Sequence, residues 1–434
     1  MTVRRRTVGV TLIRVEKIVL TCERILLIVV VCAATGCAMK LGKQPRQEVA
    51  SLYSAQSPEF RQAAGSLLGP NFVDGNSIST LVNGDEIFPA MLSAIRSARR
   101  SINLETYIFW DGEIAREFTA ALSERARAGV HVNMILDARG TSKLGLANKK
   151  QLQNAGVQIV KYHTGFWPDP RRYNNRTHRK LLIIDGRIAF IGGAGIADFW
   201  AGNADSTKHW RDNHYKISGP VVAQLQASFM SNWLKTRGTV LHGPDYFPPL
   251  ENSGSLLAQA IRSGAHYENL DLMYLLAIAS AKKTLRIENA YFLPDDLTRK
   301  ELVEAAKRGT KIEILVPGKK IDQKLVRAAS RRHWPELLKA GIKIYEYEPT
   351  MLHAKLLIVD DKFVSVGSGN FDNRSIRLND EANLDVLDSD FAAQQIRLFE
   401  LDKRQSHQVA LEELGDFHVA NPFDYVAGLL SPQL

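Results

Sequence analysis

The chain of 434 residues is long for one domain and comfortable for two, and its 45% apolar and 24% charged residues exclude a disordered or low-complexity protein. All three cysteines lie within the first 37 residues, which excludes a cysteine-based metal site or disulfide framework in the body. Of the formal charge of +10, residues 1–36 hold six cations against Glu16 and Glu23, a net +4 that leaves +6 for the rest; either a solvated basic surface or attraction to anionic headgroups or nucleic acid accounts for that remainder.

The first predicted element is an export leader, residues 1–37. Its cations (Arg4, Arg5, Arg6, Arg14, Lys17, Arg24) precede an apolar run from Ile25 to Ala34. Ten apolar residues are too few for a bilayer span, which needs about 20, but they suit a secretory signal. Ala34-Thr35-Gly36-Cys37 resembles the lipobox of bacterial lipoproteins, making Cys37 the expected lipid-modified residue, with an uncleaved signal anchor or a displaced start codon as the alternatives. Each version exports the body to the periplasmic side of a bacterial envelope, tethered to a membrane. Ala38 stands where an Asp often retains lipoproteins in the inner membrane, which tilts the reading toward the outer one.

Residues 38–75 read as a polar tether with at most one short helix. The chain then repeats itself, with one unit over 76–250 and another over 251–434, joined near the turn-rich segment 243–249. Ala94-Ile95-Arg96-Ser97-Ala98 returns as Ala277-Ile278-Ala279-Ser280-Ala281, and Glu105 and Phe109 return as Glu288 and Phe292. Each unit predicts a helix ending near Arg99 or Lys282, a strand (101–109; 284–292), and a helix stopped at Gly129 or Gly309. A strand (130–137; 311–316), a further helix and a short strand (157–162; 342–347) follow. Alternating strands and helices predict an α/β fold, each repeat a mostly β sheet flanked by helices, the two related by a pseudo-twofold axis.

Near the end of each unit stands one constellation: His178-Arg179-Lys180 with Asp185, and His353-Ala354-Lys355 with Asp360, both H-x-K-x4-D. Alternation along a strand turns His178 and Lys180 to one side, as it does His353 and Lys355. Asp185-Gly186 and Asp360-Asp361 read as hairpin turns. One such match arises by chance, but two at equivalent places of a repeat do not.

The duplicated motif resembles that of the phospholipase D superfamily over roughly residues 76–400. Gly367-Ser368-Gly369-Asn370, Trp210-Arg211-Asp212-Asn213-His214 and Asn379-Asp380-Glu381-Ala382-Asn383 are similar to its bacterial cardiolipin synthase branch. The resemblance implies that Glu381, and by position Asp212, orients the catalytic imidazoles. It favours His178 as the nucleophile that forms a phosphohistidine, with His353 as acid and base. Asp185 and Asp360 belong to the motif's catalytic set, but read as positioning the hairpins and not as touching substrate.

The sequence offers no His-Glu-x-x-His, calcium loop or cysteine cluster, so the expected metal and cofactor are none. Lys180 and Lys355, with Ser368 and Asn370 as donors, would hold the non-bridging oxygens of a phosphodiester. The first repeat departs from the pattern. It reads Gly192-Gly193-Ala194-Gly195, with glycine where the branch keeps Asn, and so predicts a lopsided site.

Glu105 and Glu288 fit either a supporting role at the cleft or structural ion pairs. Phe199, Trp200, Trp210 and Tyr291 fit core packing better than a glycerol or acyl pocket. Arg171, Arg172 and Arg176 fit a phosphate or membrane contact as well as a solvated loop. The expected partners are a phospholipid, phosphatidylglycerol foremost, and a membrane surface, served by a monomeric catalytic unit. Transfer to a second phospholipid leads; hydrolysis to phosphatidic acid is the alternative. An exported nuclease ranks lower, because no continuous basic-aromatic groove marks a nucleic-acid path.

Overall fold

The computed structural model describes residues 49–163, 175–264 and 269–414. The leader with Cys37, together with Arg171 and Arg172, lies outside the described residues. Seventeen strands are formed in the described body. The first repeat supplies β1 (Val73–Val82), β2 (Ser101–Thr106), β3 (His131–Asp137), β4 (Gln158–Tyr162), β5 (Leu181–Ile184), β6 (Ile188–Gly192) and β7 (Asn213–Ser218). The second supplies β8 (Leu256–Ser263), β9 (Thr284–Asn289), β10 (Phe292–Leu293), β11 (Lys311–Pro317), β12 (Lys343–Tyr347), β13 (Lys355–Val359) and β14 (Phe363–Gly367). It ends with β15 (Phe371–Asp372), β16 (Glu381–Leu387) and β17 (Ser406–Gln408).

Fifteen of these strands form one sheet, ordered β17-β12-β11-β9-β13-β14-β16-β8-β1-β7-β6-β5-β2-β3-β4. Outward from the antiparallel β8–β1 pair, the two wings are mirror lists of matched strands: β16 with β7, β14 with β6, β13 with β5, β9 with β2, β11 with β3, and β12 with β4. This is the expected α/β pseudo-twofold. β2, β3 and β4 run parallel in one wing and β9, β11 and β12 in the other, where antiparallel β17 adds the edge; helices such as Glu113–Arg127 and Asp296–Lys307 join the parallel strands.

The motif strands are apolar on both faces because both faces are covered. Leu182 and Ile184 enter a core shared with the helices Asn83–Ser97 and Glu113–Arg127. Leu181 and Ile183 enter a second core that also takes Leu356, Ile358 and Val364 from the other repeat. The continuous run Leu-Leu-Ile-Ile is thus a strand between two cores. Strands expected over 101–109 and 284–292 end sooner, at Thr106 and Asn289. The chain then steps sideways, Phe109 bridging Ile196 and β10 pairing with β15.

The stretch expected to be a tether differs more. Residues 58–68 form a helix whose N-cap Ser57 accepts the Phe60 N–H. Phe60, Ala64 and Leu68, spaced by four, enter the second repeat's core, with Phe60 edge-on to Phe363 at 5.3 Å. The helix is an outer layer of the fold.

Asp185 and Gly186 carry φ of 53° and 62°, Asp360 and Asp361 of 50° and 52°, the left-handed pair that a two-residue hairpin turn requires. The Asp185 carboxylate accepts the N–H groups of Arg99, Arg100 and Ser101. That of Asp360 accepts those of Lys282, Lys283 and Thr284. These motif carboxylates therefore sit at the far end of β5 and β13 from the histidines, pinning each hairpin to the start of β2 or β9. Grouping them with the catalytic residues is corrected by that position. Asp185→Ala or Asp360→Ala removes several charge-assisted bonds and should lower unfolding free energy by roughly 2 kcal/mol. Urea unfolding checks this, and unchanged midpoints would contradict the pinning role.

Candidate active site

Each motif histidine is placed by backbone from the other repeat. His178 N–H donates to the Asp380 carbonyl (2.9 Å) and Asp380 N–H to that of Arg176 (2.8 Å). His353 N–H donates to the Arg211 carbonyl (2.7 Å) and Arg211 N–H to that of Met351 (2.8 Å). These short ladders bring the residue after Asp380 and the residue after Arg211 beside the foreign imidazole. His178 Nδ1 lies 2.8 Å from Glu381 Oε1, and His353 Nδ1 lies 2.8 Å from Asp212 Oδ2. The carboxylate pairing is crossed between repeats, and it leaves Nε2 of each ring for chemistry.

Both rings line one cavity of about 480 Å³, with Lys180, Asn370, Tyr107, Trp200, Trp210 and Tyr291 among its walls. Lys180 Nζ donates to the His178 carbonyl at 2.7 Å, and Lys355 Nζ donates to the carbonyl of His353. Asn370 lines the cavity, and its Oδ1 has no hydrogen-bond partner among the described residues, which leaves an amide oxygen able to accept from a ligand hydroxyl. Ser368 is not. Its hydroxyl donates to Glu381 Oε2 (2.5 Å), and Ser375 donates to Oε1 (2.8 Å). The expected phosphate contact from Ser368 is replaced by support of the carboxylate that holds His178.

Burial dominates the electrostatics. It lowers the His178 imidazole to about 4, against the raising influence of Glu381. It lowers His353 to about 3, with Lys355 adding to the effect. Burial also brings Lys180 down to about 7 and Lys355 to about 8. Burial is the largest influence on Asp212 and Glu381 and pushes both upward, but the histidine, the lysine and the Trp200 or Ser368 donor around each together leave both below the usual carboxylate range. The empty site therefore holds neutral imidazoles, ionised carboxylates and easily deprotonated ammonium groups.

The first repeat compensates for its missing donors. A Cβ on Gly193 would fall 2.3 Å from Asp212 Oδ1, so the shorter Asp leaves no room for the counterpart of Ser368. A Cβ on Gly195 would meet Ile108 at 2.9 Å and the Trp200 ring at 3.0 Å. Trp200 occupies the space of the absent Asn, and its indole Nε1 donates to Asp212 Oδ2 at 2.9 Å, edge-on to His353 at 5.3 Å. The lopsidedness expected from Gly195 is real in residue type, yet Asp212 receives a donor as Glu381 does.

Other expectations sort clearly. Trp200 is a core residue and Trp210 and Tyr291 pack against core clusters, as preferred, yet all three also line the cavity, while Phe199 is half-exposed beside Trp210. Glu105 and Glu288 are fully buried and do not line it. Glu105 accepts from Thr177 and Asn232, and burial raises Glu288 to about 8. Sequence reasoning missed Trp200 as a donor, since no spacing rule links an indole to Asp212.

A family profile described as "Cardiolipin synthase, PLD-like domain" matches residues 91–233 and 274–403. The chain is 34% identical over 365 residues to cardiolipin synthase A of Pseudomonas fluorescens, covering 83% of this chain and 75% of that one. It is 36% identical to a cardiolipin synthase of Geobacillus kaustophilus, covering 82% and 72%. In fold it is similar to the phosphatidylserine synthase of Haemophilus influenzae (TM-score 0.68, 14% identity, 87% of this chain, 100% of that one). It is also similar to the polyphosphate kinase of Porphyromonas gingivalis (TM-score 0.54, 13% identity, 89% and 57%). A duplicated, crossed His-Lys site on this sheet defines the class, and the chain belongs to the phospholipase D superfamily, in its cardiolipin synthase family.

Trp200→Phe keeps the ring but removes the N–H, so turnover should fall about tenfold with the fold intact. Steady-state kinetics with a thermal melt checks this. Wild-type turnover would show that Asp212 does not need the indole.

Proposed function

We propose that this protein moves a phosphatidyl group from one phospholipid to the alcohol of another, with phosphatidylglycerol as donor and acceptor and cardiolipin as product. The relatives named cardiolipin synthase support the substrate class. The observation that carries the reading is the pair of carboxylate-held imidazoles in one cavity.

In this reading His178 Nε2 attacks phosphorus in line, a P–N bond forms, and the P–O bond to the leaving glycerol breaks as His353 gives that oxygen a proton. An acceptor hydroxyl then loses its proton to His353 and attacks phosphorus; the new P–O bond forms as P–N breaks. Lys180, Lys355 and Asn370 face the non-bridging oxygens. The incoming anion adds negative charge beside Glu381 and Asp212, raising ammonium and imidazole together so that His353 can hold a proton. Glu381 and Asp212 keep each ring in the tautomer that exposes Nε2.

The working body comprises the repeats over residues 76–250 and 251–434. Both halves of the site lie on one chain, which supports a monomeric unit. Residues 1–37 act as a leader, and a lipid on Cys37 tethers the body at the periplasmic side of an envelope membrane, where its substrate lies.

His178→Ala and His353→Ala should each cut turnover by about 1000-fold or more, and trapped phosphoenzyme should map to His178. Label at His353 would reverse the assignment. Mass spectrometry of phosphatidylglycerol vesicles treated in EDTA should find cardiolipin. Phosphatidic acid alone would make the protein a hydrolase, and degraded single-stranded DNA beside intact lipid would overturn the reading. Metabolic palmitate label should appear on the wild-type protein and vanish in Cys37→Ala; an unlabelled wild type would remove the lipid tether.

A further inference from the structure

Three guanidinium groups line the same cavity as the imidazoles: Arg139, Arg176 and Arg374. They crowd one wall beside Tyr107, close enough that Arg176 and Arg139 add to the burial that lowers Arg374. Arg176 is only 8% exposed, and its Nε has no hydrogen-bond partner among the described residues. Two acids stand near them, Asp137 facing Arg176 and Asp372 facing Arg374. Asp137 accepts the N–H groups of Arg139, Gly140 and Thr177, and Asp372 accepts that of Ser375.

Two of the three guanidinium groups have no cationic counterpart across the pseudo-twofold; counting from Gly129 and Gly309, Arg139 matches Lys319, which does not line the cavity. Counting from His178 and His353, the equivalent of Arg176 is Met351; counting from Gly195 and Asn370, that of Arg374 is Phe199. The opposite wall carries Asp322, Gln323 and Val326. The duplicated core, with Lys180, Lys355 and Asn370, already answers the single charge of one reacting phosphodiester. Three guanidinium groups against two carboxylates that also accept backbone N–H groups leave positive charge on this wall, and guanidinium groups suit phosphate oxygens.

We infer that the arginine wall is a second anion site, holding the phosphodiester of the acceptor lipid that does not itself react. The inference rests on the transferase reading above and deepens it. The acceptor's hydroxyl waits by His353 to give up its proton and displace the P–N bond. A flexible three-carbon glycerol chain joins that hydroxyl to the acceptor's own phosphate, which reaches across the cavity to Arg139, Arg176 and Arg374. Water or a simple alcohol brings no second anion. The wall therefore selects a phospholipid acceptor over smaller ones.

The test uses full-length protein on phosphatidylglycerol vesicles with ethanol present, following cardiolipin and phosphatidylethanol together. Arg139 is exposed at the cavity mouth, so Arg139→Gln should fold normally, and Arg374→Gln is the second variant. In both, cardiolipin formation should fall at least about tenfold more than phosphatidylethanol formation, and Arg139→Lys should restore part of the preference. Equal losses would assign the arginines to the donor phosphate and overturn the inference. Unchanged cardiolipin formation in both variants would overturn it too. A wild type that forms neither product would instead overturn the transferase reading beneath it.

Discussion

The crossed pairing of imidazole and carboxylate is the constraint on which the rest of the molecule turns. Neither repeat can orient its own histidine: His178 needs Glu381 and His353 needs Asp212, 203 and 141 residues away. The pairing forms only if β7 and β16 deliver their leading residues to the opposite repeat, which the continuous sheet ensures by joining the wings through β1 and β8. The backbone ladders at Thr177–Asp380 and Arg211–Leu352 then set the register. A site of this kind tolerates little slippage, because a one-residue shift would turn the carboxylate away from the ring. The buried Arg211–Asp402 pair and the Arg179 guanidinium, bonded to the Glu381, Ser228 and Ser263 carbonyls, brace the segments that make the exchange.

Symmetry of the scaffold leaves room for asymmetry in chemistry. On one side a Glu is supported by Ser368 and Ser375; on the other a shorter Asp is supported by an indole and by the Asn213 N–H. The two imidazoles thus meet the same kind of partner in different surroundings: His353 among Trp200, Trp210 and Tyr291, His178 beside Tyr107. The proposed transfer asks the two rings for opposite protonation states and would benefit from such inequality, since identical sites would share one proton evenly.

Much of this was legible in the sequence, and what was not has a physical reason. The hairpins could be read because alternation, apolar runs and the Asp-Gly and Asp-Asp turns all act over a few residues. The duplication supplied the pseudo-twofold. The exchange of carboxylates was out of reach, since it depends on which wing meets which, and no local pattern encodes strand order. Ser368 was assigned to substrate because motif spacing marks it as polar, but only the closeness of β14 and β16 shows that Glu381 takes its hydroxyl. The helix Pro58–Leu68 carried a readable signal in Phe60, Ala64 and Leu68, obscured by the polar residues between them.

The depressed imidazole and ammonium values tie this architecture to its chemistry. Burial disfavours the positive forms of His178, His353 and Lys180 on the cavity wall and of Lys355 beside them. In water the lysines would stay protonated regardless of substrate and the imidazoles would titrate near neutrality. In the proposed transfer an anion bound here favours protonation of the groups around it, which suits His353 as general acid in the occupied cavity. A neutral ligand of the same shape would leave the imidazoles as bases and the lysines partly uncharged. Selectivity for a phosphodiester is thus a consequence of burial as well as of contacts, and it requires the apolar core that covers both faces of β5 and β13.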